Sequence, residues 1–197
     1  MKPGIDWKTH LIRFFFVTLG VFIAFGLNTC NERRKEKLQI KLYLQGLQEE
    51  LLENQTKLNT SLPYHQELLT TLRQQPEKAN LIMNPAAVSN VAWNLADNEV
   101  FKKYVDHELY KQLSTVYQFH ESLLEQHRQA SNLMSELNVL GPLHASSLLG
   151  QTFTEEQEIQ LNNQISQGWI PIFETWTSLE QDYLQNIENA LAMIDRN

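Results

Sequence analysis

Phe14 to Leu27 (FFFVTLGVFIAFGL) run without a charge, and the pattern of apolar and polar positions after them changes to helical spacing that lasts almost to the end of the chain. The strict run has 14 residues, reaching about 21 Å as a helix, short of a hydrocarbon core of about 30 Å. Leu11 and Ile12 extend it upstream, Arg13 can lay its aliphatic stem along the helix with its guanidinium at the headgroups, and Thr29 and Cys30 suit the far interface. Residues 11–30 are therefore expected to span a bilayer, behind a flank of residues 1–10 in which Trp7 takes the place of an interfacial aromatic anchor. A cleaved secretory signal ending near Gly26 is the rival reading, given the small pair Ala24 and Gly26. Leu27-Asn28-Thr29-Cys30 has the outline of a lipoprotein box but carries Thr29 where a smaller residue is wanted. An uncleaved anchor is favoured because no Gly or Pro lies between Gly26 and Gly46, so the helix leaves the bilayer unbroken.

From Ile40 the apolar spacing is Ile40, Leu44, Leu47, Leu51, Leu58 and Leu62, in steps of four and three with an interruption near Asn54 and Gln55. This is a heptad-like seam, and it must pack either on a second copy or on the chain's own body. A stalk over residues 31–62 is expected, closed by Pro63, with a short helix through Leu68, Leu69 and Leu72 ended by Pro76. Asn84-Pro85 reads as a cap and first-turn proline for a helix carrying Val88, Val91, Trp93 and Leu95. Asp106 is a plausible cap for the clearest soluble helix, whose stripe runs from Leu109 through Leu113, Val116, His120, Leu123 and His127 to Leu137, with Gly141-Pro142 as its stop. After a loop, Thr154 and Gln157 fit a capping box for a helix ending near Gly168, and Pro171 opens a last helix through Trp176, Tyr183, Ile187 and Ile194. No stretch alternates at period two. The expected fold is all-α, a transmembrane helix continuing into a stalk and then an antiparallel helical bundle over residues 63–197, with Trp93, Tyr117, Phe119, Trp169, Phe173, Trp176 and Tyr183 in its core.

Charge narrows the partners. Residues 63–197 hold seventeen Asp and Glu against seven Lys and Arg, and so acidic a body repels nucleic acid phosphates. Trp7, Arg13, Arg33 and Arg34 are the residues expected at the membrane surface. The span is flanked by Lys2, Lys8 and Arg13 on one side and by Arg33, Arg34, Lys35, Lys37 and Lys41 on the other, which leans towards a cytoplasmic body under the positive-inside rule. Gly20 and Ala24 form a small-xxx-small pair through which two membrane helices can approach, a route to a homo-oligomer that the stalk would extend. The single cysteine, Cys30, sits at the membrane edge.

Candidate chemistry is sparse. His120 and His127 share a helix face but stand about 10.5 Å apart along it, too far to hold one metal at about 2.1 Å each, and they read as seam or surface residues. There is no Glu-x-x-His, no glycine-rich phosphate loop, no Cys-x-x-Cys and no His-Glu-x-x-His. His144 with Ser146 and Ser147 lacks a nucleophile elbow. No catalytic, cofactor or metal residue is assigned. The expectation is a protein that binds an unknown protein partner as a scaffold of the bacterial envelope, in the inner membrane. The alternative is a sensory bundle that holds a small ligand between helices and signals through a separate partner.

The juncture Asn28-Thr29-Cys30-Asn31-Glu32-Arg33-Arg34-Lys35 after the apolar span resembles that of a family of uncharacterised bacterial single-pass membrane proteins. There a segment like Val-Ile-Gly-Ile-Leu-Ile-Ala-Leu leads into Asn-Asn-Trp-Asn-Glu and then basic residues. Gly20-Val21-Phe22-Ile23-Ala24-Phe25 stands for the first part, and Cys30 occupies the place of the family's Trp. The likeness continues loosely through the stalk and from Asn84 to Tyr117, and is not traceable in the last fifty residues. It implies an uncleaved anchor and a helical body, and carries no activity, ligand or catalytic residue.

Overall fold

The computed structural model of the protein describes residues 7–75, 86–140 and 154–196. Among them every regular element is helical: α1 (Trp7–Gln74), α2 (Val91–Ala96), α3 (Glu99–Tyr104), α4 (His107–Leu140) and α5 (Glu155–Ile194). The stops expected at Pro76 and Gly141-Pro142, the start expected at Asn84-Pro85, and the loop with His144, Ser146 and Ser147 lie outside the described residues, while residues 86–90 are not helical, so Val88 precedes α2 and is not part of it.

The first helix corrects the expected stop at Pro63. It runs through that proline without interruption, so the stalk and the short helix after it are one element. A proline inside a helix forfeits one backbone hydrogen bond and crowds the carbonyl four residues before it, a cost of about 3 kcal/mol. Here the ring faces solvent, and the turns on either side of it are both tied to α5, Ser61 and His65 bonding the two oxygens of Glu180. Tertiary contact thus offsets what local propensity disfavours. The same correction applies to α5, which passes through Gly168 and Pro171 as one helix with Trp169 and Phe173 buried on either side of the proline.

Ile40, Leu47, Leu51, Asn54, Leu58, Ser61, His65, Leu68 and Leu72 are all buried, with Leu44 half-buried between them. This is a seam in steps of four and three with no gap, and the supposed interruption at Asn54 is one of its members. The seam is occupied by the chain's own helices. On α5 the matching series is Trp169, Phe173, Trp176, Glu180, Tyr183, Ile187, Ala190 and Ile194, and on α4 it is Leu109, Leu113, Val116, His120, Leu123, half-buried His127 and Ala130. Heptad spacing on each long helix keeps one stripe facing its neighbours over many turns.

Direction follows from the contacts. Gln48 bonds Asp195 and Ser61 bonds Glu180, so α1 and α5 are antiparallel. Gln112 of α4 bonds Asn186 of α5, and His127 meets Trp176, so α4 and α5 are antiparallel as well. α1 and α4 are then parallel, and the chain must return between them. The return is a strap made of residues 86–105, in which Ser89 meets Glu50 and Asn54, Ala92 lies over Gly46, Phe101 meets Tyr43, and Tyr104 reaches Glu36. Asn98 caps α3 by accepting from the Phe101 N–H at 3.0 Å, and Asp106 caps α4 as its sequence suggests, accepting from the N–H groups of Glu108 and Leu109. Three long helices and a strap therefore close one core. From residue 11 to residue 35, α1 stands outside that core with nearly every described side chain exposed, and this part is long and apolar enough to cross a membrane.

Candidate functional site

The residues singled out for the membrane lie apart from the body. Trp7 opens α1; Arg13, Arg33 and Arg34 are exposed along it, and so are Gly20, Ala24 and the free thiol of Cys30. A methyl group added at Gly20 would meet nothing within 4 Å, so this face of the helix is open. The body begins close to it. Tyr104 of α3 donates to Glu36 at 2.5 Å and Lys103 approaches the same carboxylate at 3.5 Å, which hold its pKa below the ordinary carboxylate range, the tyrosine bond being the larger influence.

Inside the bundle the seams carry two polar layers that the sequence reading passed over. The first joins α1, the strap, α4 and α5. Glu50 is buried and accepts from the Tyr117 hydroxyl at 2.6 Å, the Ser89 hydroxyl at 2.8 Å and the Ala92 N–H at 2.9 Å. One turn on, Asn54 exchanges two bonds with the Ser89 backbone, at 2.7 and 2.8 Å, and donates to the Tyr183 hydroxyl at 3.3 Å. Trp93 stacks on Tyr117 with ring centroids 5.0 Å apart. Burial and the neighbouring Glu50 push the Tyr117 hydroxyl far above the usual tyrosine range, and burial does the same to Tyr183.

The second layer lies further from the apolar stretch. Glu180 is fully buried and accepts from the Ser61 hydroxyl at 2.8 Å, while Nδ1 of His65 donates to its other oxygen at 2.9 Å. The His65 ring centroid lies 4.8 Å from that of Trp176, which also meets His127 of α4 at 5.7 Å. Nε2 of His65, Nδ1 of His120 and the indole nitrogens of Trp169 and Trp176 are buried without a hydrogen-bond partner. His120, expected at a seam or on the surface, is at the seam and 2% exposed, against Tyr117 and Tyr183. Burial lowers its basicity despite the opposing pull of Glu121 and Glu50, and burial alone lowers that of His127.

This geometry says what the buried acids do. Each carboxylate has both oxygens occupied by donors from the protein, so Glu50 and Glu180 fasten helices together and present no free oxygen to a substrate. Among the described residues no three His, Cys, Asp or Glu side chains converge to hold a metal ion. The aromatic residues assigned to the core are there, with Trp169, Phe173, Trp176, Tyr117 and Tyr183 buried and Trp93 and Phe119 half-buried. The signal that would have found the polar layers is the heptad register itself: continued through Asn54, Ser61 and His65 on α1 and Glu180 on α5, it puts polar side chains at positions that must be buried.

No family model, no curated protein and no solved structure matches this chain.

Proposed function

We propose that the protein is a single-pass membrane protein of the bacterial inner membrane whose helical body works by binding, as an interaction or scaffold element of the envelope with no catalysis of its own. The observation that carries this reading is the continuity of α1. One helix supplies both the exposed apolar stretch and the longest wall of the core, so a partner bound to the body is coupled to the bilayer through a rod without a joint. The first contact between the body and α1, at Glu36, falls about 10 Å beyond Thr29 along the helix. Arg33 and Arg34 then lie at headgroup depth, and the bundle stands directly on the membrane. The resemblance of the Asn28–Lys35 juncture to bacterial single-pass membrane proteins points the same way, and the filled polar layers support binding over chemistry.

Crosslinking in native membranes with identification of the partners, combined with protease access to whole cells and spheroplasts, tests the reading. The expected result is a polypeptide that resists extraction by salt and crosslinks to at least one other envelope protein. Recovery of crosslinks to itself alone removes the scaffold role, and recovery in the aqueous fraction removes the anchor.

A sensory bundle is the second reading. The unpartnered nitrogens of His65, His120 and Trp176 favour it, because a small polar ligand between the helices would satisfy them.

A further inference from the structure

Among the described residues, His65, His120 and His127 lie in the seams of the bundle, and they are not equivalent. His65 on α1 has the Glu180 carboxylate against its Nδ1. His120 and His127 on α4 sit one heptad apart, face α5, and have no hydrogen-bonded carboxylate among the described residues. The surroundings of His120 are Tyr183 from α5, Glu50 from α1, and Tyr117 and Glu121 from its own helix. Tyr117 occupies one oxygen of Glu50, and Asn90 of the strap bonds an oxygen of Glu121. The surroundings of His127 are the Trp176 ring from α5, which His65 of α1 also meets, and on α4 the exposed Glu125–Arg128 pair, two residues before it and one after. A proton added to either α4 histidine thus enters the α4–α5 seam with no acid bonded to the ring.

We propose that this seam is a proton-operated latch: mild acid charges His120 and His127 and loosens α4 from α5, while the α1–α5 pair stays closed. The α1–α5 contact keeps the Ser61–Glu180–His65 bonds, the Gln48–Asp195 bond and the Arg73–Glu174 ion pair, none of which involves α4. Opening uncovers the aromatic face of α5 around Trp176 and Tyr183, and it does so beside a membrane anchor that does not move. The sign follows from burial. Both rings bind protons less readily when docked than when free, so docking is at full strength above the ordinary histidine midpoint of about 6.5 and weakens as the pH falls below it. Each unit of depression contributes up to about a tenfold shift in the open fraction.

The test is hydrogen exchange, read by peptide and corrected for the intrinsic pH dependence, on the full chain in lipid nanodiscs at pH 7.5 and 5.5. The expected result is a tenfold or greater loss of protection over residues 113–133 of α4 at the lower pH, with residues 47–72 of α1 retaining theirs. The double variant His120→Gln and His127→Gln, which carries no charge at either pH, is expected to hold α4 closed at both. Should that variant misfold at pH 7.5, His127→Gln alone, at a half-buried site, is expected to reduce the pH response. Ring titration of the wild-type protein by NMR supplies an independent readout, with midpoints for both residues below that of free histidine. Loss of protection in α1 and α4 together, no loss in α4, a response that persists undiminished in the glutamine variants, or midpoints at the free value would each overturn the latch.

Discussion

The Tyr117 hydroxyl and Oε1 of Glu50 stand 2.6 Å apart, a buried bond that ties α4 to α1 across the core. Because Glu50 also accepts from Ser89 and Ala92, this one carboxylate locates the strap as well. Tyr117→Phe keeps the ring that stacks on Trp93 and removes only the donor. The expected outcome is a loss of about 1–3 kcal/mol, seen as a lower thermal midpoint. An unchanged midpoint would show that water replaces the hydroxyl at no cost.

The Ser61–Glu180–His65 cluster predicts strong non-additivity. Removing one partner of a buried hydrogen bond leaves the other unsatisfied, so His65→Leu and Glu180→Leu are each expected to cost about 1–3 kcal/mol. The combined variant is expected to cost less than the sum, because neither group is then stranded. Denaturant unfolding of the single and double variants measures this, and additive costs would mean that the two side chains do not interact.

Asn54 predicts a local effect in place of a global one. Its two bonds to the Ser89 backbone fasten the strap to α1. Asn54→Ala is expected to raise hydrogen exchange over residues 88–101 several-fold more than over the middle of α5. Uniform loosening of the whole body would assign Asn54 to the general core.

Pro63 sits in the interior of α1 with its ring exposed. Pro63→Ala restores the missing donor and relieves the clash with the preceding turn, so a gain of about 1–3 kcal/mol is expected. Lower stability in that variant would show that the core requires the bend a proline introduces.

Gly20 has open space where a side chain would grow. Gly20→Ile and Ala24→Ile therefore leave the single chain undisturbed and act only on association between copies. If two membrane helices meet through these residues, oxidative crosslinking at Cys30 in native membranes should fall at least several-fold in the double variant. Equal crosslinking in variant and wild type would remove the small-residue pair as a contact.

Much of the architecture is legible in the sequence. The exposed apolar stretch, the absence of strands among the described residues, the Asp106 cap and the seam positions from Leu109 to His127 follow from periodicity and from one side-chain oxygen placed before a helix. The errors share one cause. Pro63 and Gly168 are expected as stops and Pro171 as a start because each disfavours a helix interior locally, yet each lies within a helix whose other face is bonded or buried against a neighbour. Asn54, expected as part of an interruption, has the register of the buried leucines.

The order of residues along the chain determined which stripe of each helix is buried, because heptad spacing is a property of one helix at a time and needs no partner to be read. Tertiary structure alone decided what each stripe faces. Asn54, Ser61, His65 and Glu180 are costly in a core when taken singly, and only the antiparallel pairing of α1 with α5, with the strap laid across Glu50, brings them to partners more than thirty residues away.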